Sequence, residues 1–169
     1  MGRRAAYLGI FTALALIFSY VESLVPLPVG IPGVKLGLAN LVVVVALYKL
    51  KTGEALAISV IRILVSGFFF SSLAAILYSL AGGLLSFAVM FLARKNKKFS
   101  VHGVSMAGGV AHNVGQILVA ALVVETFGIL YYLPVLLVAG VLTGLIIGVV
   151  ANAMLKRLER LDFTDNTGK

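Results

Sequence analysis

The residues of this chain best suited to chemistry sit where water should be scarce. The stretch from Ser105 to Gln116, SMAGGVAHNVGQ, places His112, Asn113 and Gln116 inside an apolar run. Polar side chains in hydrocarbon are costly enough to mark a site by default. Glu22, Lys35, Asn40 and Arg62 interrupt other apolar stretches in the same way. The chemistry on offer is recognition. Glu22 and Glu125 set against Lys35 and Arg62 make a balanced group of charges, which buried ionisable residues need if they are to stay ionised. His112 and Gln116 lie one helical turn apart and share a face that Ser105 and Gly109 continue. Asn113 points about 100° away and serves as readily in a helix contact. The structural alternative pairs Arg62 with a helix-end carboxylate and uses the amides to tie helix to helix, at about 1 kcal/mol each. Convergence of several polar spans on one leaflet favours a ligand site built from Glu22, Lys35, Asn40, Arg62, His112, Asn113 and Gln116. A metal or proton-relay role for His112 is not expected, because no second His or carboxylate stands at ligand spacing in its own run.

The elements that must hold these side chains are membrane helices. Hydrophobic residues make up 61% of the 169 and charged residues only 12%, with a mean hydropathy of +1.11, beyond any ordinary soluble domain. Apolar runs near the roughly 20 residues that cross a bilayer give six expected spans: 5–24, 35–48, 54–70, 72–93, 101–125 and 129–155. The expected architecture is an all-α membrane protein, a single six-helix bundle over residues 1–155, followed by a basic and polar tail over 156–169. The second span is short and apolar on every side (LVVVVALY). The division at Gly67–Ser72 leaves little room for a loop, and a re-entrant break there is an alternative.

Charge sets the expected orientation. Twelve of the fourteen basic residues, Arg3, Arg4, Lys49, Lys51, Arg94, Lys95, Lys97, Lys98, Lys156, Arg157, Arg160 and Lys169, fall on one side of the six-span arrangement. Lys and Arg stay cytoplasmic in short loops, so both termini are expected in the cytoplasm and the polar cluster opens outward. The same asymmetry accounts for the net charge of +8 without nucleic-acid binding. Catalysis finds little support. There is no Cys, no Walker A motif, and Asp162 with Asp165 is too small a carboxylate set for Mg-diphosphate chemistry. The chain is therefore expected to be a binding subunit and not an enzyme.

Small residues form a second pattern. Ala5, Gly9 and Ala13 recur every fourth position in the first span, Gly103, Ala107, Ala111 and Gly115 in the fifth, and Gly140, Gly144 and Gly148 in the sixth. Such stripes let helices approach closely. In the fifth and sixth spans the expected use is packing within the bundle; in the first, a partner is as good a reading. The segment from Ser23 to Val34, SLVPLPVGIPGV, is expected as an outer connector stiffened by three prolines, or a lid.

Four runs, PGVKLGLANLVVVVALY (32–48), RILVSGFFFS (62–71), YSLAGGLLSFAVM (78–90) and GVSMAGGVAHNVGQILVA (103–120), together resemble the bacterial membrane family labelled heptaprenyl diphosphate synthase component I, also called the Gx transporter family. That family is similar to the substrate-binding S components of energy-coupling factor transporters. The resemblance implies a bacterial cytoplasmic membrane protein that captures a small molecule, such as a vitamin or precursor, from outside. A transmembrane T component and ATPase subunits would be its partners, docked on the first-helix stripe, where Gly9 departs from the usual Ala. It also leaves room for two other roles: an accessory to polyprenyl diphosphate and quinone synthesis, and a subunit of electron transfer with a flavin or quinone as cofactor.

Overall fold

A computed structural model of the protein describes residues 2–24, 37–96 and 98–160. Lys35 and the prolines at 26, 28 and 32 lie outside the described residues. The described residues form six α-helices: α1 Gly2–Leu24, α2 Leu38–Lys49, α3 Thr52–Phe70, α4 Leu73–Lys95, α5 Val101–Val123 and α6 Leu133–Arg157. Two short 3₁₀ segments, Phe127–Tyr132 and Leu158–Arg160, precede and follow α6. α1, α3, α4, α5 and α6 are long and apolar enough to cross a bilayer, the pattern of a multi-pass membrane protein.

The second helix falls close to its expected bounds and is as short as expected, but it is not a full crossing. α2 has 12 residues, about 18 Å at roughly 1.5 Å per residue, against a hydrocarbon core of about 30 Å. Its all-round apolar surface faces protein: Leu41 through Leu47 are all buried, packed among Phe11, Ala15, Ile58, Phe87, Met90, Val104, Ile147 and Ala151 from the five long helices. A helix without a polar face suits either lipid or a protein core, and here it is the core. Around it α1 packs on α3, α3 on α4, α4 on α5 and α5 on α6.

The Ser71 region is a tight corner between two full helices. Ser71 N–H donates to Gly67 O at 3.1 Å, and the Ser72 hydroxyl caps α4 by accepting from Ala75 N–H at 3.2 Å, satisfying helix-end groups that lipid cannot.

Glycine sets the spacing of α4, α5 and α6. A Cβ on Gly144 would sit 2.7 Å from Met106 Cα, and one on Gly148 2.8 Å from His102 Cα. The α6 stripe therefore lies directly on the α5 backbone, as expected for packing within the bundle. On the opposite side of α5, Gly108 and Gly115 meet Met90 and Ala81 of α4. The α1 stripe differs: Ala5, Gly9 and Ala13 are exposed, and nothing lies within 4 Å of a Cβ built on Gly9.

All described Lys and Arg residues except Arg62 lie at one end of the bundle. Three links draw that end together. Arg4 pairs with Glu54 at 2.5 Å, joining the starts of α1 and α3. Arg94 donates to Leu47 O and lies over the Tyr48 ring, 5.0 Å from its centroid. Lys49 donates to Leu158 O at 2.8 Å.

Candidate functional site

At the opposite end the helices leave a cavity of about 240 Å³. It is bounded by the last turns of α1 and α3, the first turns of α2 and α4, and the middles of α5 and α6. Glu22, Asn40, Arg62, His112 and Asn113 all line it. Five of the seven residues singled out by type and spacing thus come together, although they belong to four helices.

Arg62 is the centre of the arrangement. It is only 9% exposed, and one of its guanidinium nitrogens donates to Asn40 Oδ1 at 2.9 Å. Its Nε is buried with no hydrogen-bond partner among the described residues. A guanidinium carries five N–H donors, and leaving buried donors unmade is costly. Glu54, eight residues earlier in the first turn of α3, does not neutralise it: that carboxylate caps its own helix through Lys51 N–H at 2.9 Å and holds Arg4.

Glu22 stands across the first turn of α2. It accepts from the N–H of Gly37, which begins α2 in the left-handed region at φ 74°, where glycine carries no side-chain penalty. The carboxylate so fixes the start of the buried helix, where the aligned backbone dipoles favour negative charge.

The α5 residues divide differently from their helical geometry. Asn113 lines the cavity and also donates to Leu136 O of α6 at 2.7 Å. Gln116 is buried but is absent from the cavity wall. Its Cγ would be 2.7 Å from a Cβ on Gly82, so the side chain is spent on the α4 contact. Glu125 stands outside the cavity too. It is exposed, at φ 51°, and closes α5: Thr126 N–H reaches back to Ala121 O at 3.2 Å. It does not join Glu22 against Arg62, because helix termination fixes its place.

Hydroxyls complete the wall: Ser19, Ser23, Ser66, Ser71, Ser79 and Thr143. Several already donate their protons to their own helices. Ser19 bonds Ala15 O at 2.9 Å, Ser23 bonds Tyr20 O at 2.6 Å and Thr143 bonds Ala139 O at 2.8 Å. Such hydroxyls retain lone pairs for a ligand. Ser66 was legible as a candidate, one turn beyond Arg62 on the same face; Ser19 and Thr143 carry no comparable signal.

Fold and site together define a helical multi-pass membrane protein with a polar cavity between its helices. A family model described as heptaprenyl diphosphate synthase component I matches residues 11–154, and the chain belongs to that family. No curated protein and no solved structure matches it.

Proposed function

We propose that the protein is a ligand-capture subunit of a membrane transport assembly, holding one small polar molecule in the Arg62 cavity. The observation that carries this reading is the cavity itself: charged and amide side chains from four helices surround a volume that packing alone would fill. Ordinary ligand pockets run from about 300 Å³ upward, so about 240 Å³ suits a compact molecule. Under the positive-inside rule the basic end faces the cytoplasm. The termini then lie inside, and the cavity opens outward from a bacterial cytoplasmic membrane. The chain binds, while a transmembrane T component and ATPase subunits supply the energy. The exposed Ala5, Gly9 and Ala13 stripe supports helix docking there.

The test is direct binding. Protein purified in lipid nanodiscs is screened calorimetrically against vitamins, their precursors, amino acids and small organic ions. Saturable binding that Arg62→Gln weakens supports capture; no binding by any class removes it. A flavin or quinone in the same sample would redirect the reading to electron transfer.

A second reading rests on the family description, which names a component of heptaprenyl diphosphate synthase. Here the chain is a membrane accessory to a soluble prenyl synthase. Stable co-purification with such a synthase, and a change in its product length on adding the chain, would favour this role. Absence of both effects would argue it down.

A further inference from the structure

The cavity is chemically two-sided. Its α1 wall presents acceptors: the Glu22 carboxylate and the Ser19 and Ser23 hydroxyls, whose protons are committed to Ala15 O and Tyr20 O. Its α2 and α3 wall presents donors. The Arg62 guanidinium lies there, and Asn40, whose carbonyl oxygen accepts from Arg62, keeps its amide nitrogen as a further donor.

Among the described residues, Glu22 and Arg62 are the Asp, Glu, Lys and Arg side chains lining the space. No salt bridge joins them, and each is held by other groups: Glu22 by the Gly37 N–H, Arg62 by Asn40. Opposite charges attract most strongly where the dielectric is low, yet here each is committed to a different group. Both are tied to the first turn of α2, Glu22 at Gly37 and Arg62 at Asn40.

A ligand with one charge would satisfy one wall and face repulsion from the other. A ligand with both would complete each. Resting on the capture reading above, we propose that the cavity selects a small zwitterion, its ammonium on Glu22, Ser19 and Ser23 and its carboxylate or phosphate-type anion on Arg62 and Asn40. The volume equals that of about eight waters at roughly 30 Å³ each, the scale of an amino acid. A planar anion takes two parallel N–H bonds from a guanidinium, an interaction that Arg62 does not make among the described residues.

The test is a charge-selectivity exchange on the full chain in nanodiscs, read by calorimetry. The zwitterions are the standard L-amino acids, β-alanine and γ-aminobutyrate; the monoanions are formate, acetate and butyrate; the monocations are choline and butylammonium. Wild type should bind at least one zwitterion tenfold or more tighter than any singly charged probe. Glu22→Gln, whose amide oxygen still accepts from Gly37, should lose that zwitterion at least tenfold and turn to monoanions. Arg62→Gln should turn to monocations. If Arg62→Gln fails to fold, the Glu22→Gln exchange decides alone. Arg62-dependent binding of a monoanion as tight as any zwitterion overturns the zwitterion and leaves capture intact. Binding by none of the three classes, with a vitamin or precursor still bound, does the same. No binding by anything overturns both.

Discussion

The two ends of α2 meet the same problem and answer it differently. A helix buried on all sides leaves unpaired carbonyls at one end and unpaired N–H groups at the other, in a setting where water cannot help. At the basic end the answer is closure. Arg94 takes Leu47 O, the Tyr48 ring lies under the same guanidinium, and Lys49 reaches Leu158 O. At the far end Glu22 takes Gly37 N–H and Arg62 takes Asn40, yet space remains between them. Cationic side chains at one end act as caps; at the other, a cation is held beside an open volume. Polarity within a membrane bundle therefore has two uses, and the presence of adjoining space tells them apart.

If that contrast is right, stability and binding should separate by end. Arg94→Ala should have the largest effect on folding, about 3 kcal/mol, from a buried carbonyl left unpaired and a lost cation–ring contact. Thermal melts followed by circular dichroism would show it, while ligand affinity of the folded fraction stays unchanged. Arg62→Gln should do the reverse. Removing a buried charge also removes its desolvation cost, so stability should shift by no more than about 1 kcal/mol. Ligand affinity should fall by about 30-fold, or roughly 2 kcal/mol, measured by calorimetry. A large melting change with intact binding would reverse the assignment of the two ends.

Smaller effects sharpen the picture. Gly37→Ala places a side chain at φ 74° and should cost about 1 kcal/mol, with weaker binding because Glu22 and Asn40 both depend on that turn. Gly9→Leu should change stability by less than about 0.5 kcal/mol, since nothing packs there. It should nevertheless reduce co-purification with a transmembrane partner, if α1 is the docking helix.

Much of this arrangement was legible in the sequence because a bilayer leaves few choices. The five long helices fall within a few residues of the apolar runs, and the glycines at 140, 144 and 148 do lie on a neighbouring helix. Hydropathy marked α2 as short but could not reveal that it is sheathed in protein, since lipid and core ask for the same residues. Nor could helical periodicity sort His112, Asn113 and Gln116. Gln116 shares the His112 face, but Gly82 on α4 lets that part of the face be covered by a helix. Asn113 turns away from both and still reaches the cavity, which extends toward α6. Which neighbour covers a face depends on contacts between distant segments, and a single helix does not encode them. Arg62 was visible as an anomaly; its Asn40 partner, 22 residues away, was visible only as another.

The most direct test compares what the protein carries out of its own membrane. Wild type, Arg62→Gln and Lys49→Gln are purified in parallel, and bound small molecules are identified by native mass spectrometry. One compact polar molecule should accompany wild type and Lys49→Gln and be missing from Arg62→Gln. Equal occupancy in all three would contradict the claim that the Arg62 end, and not the basic end, is where this protein binds.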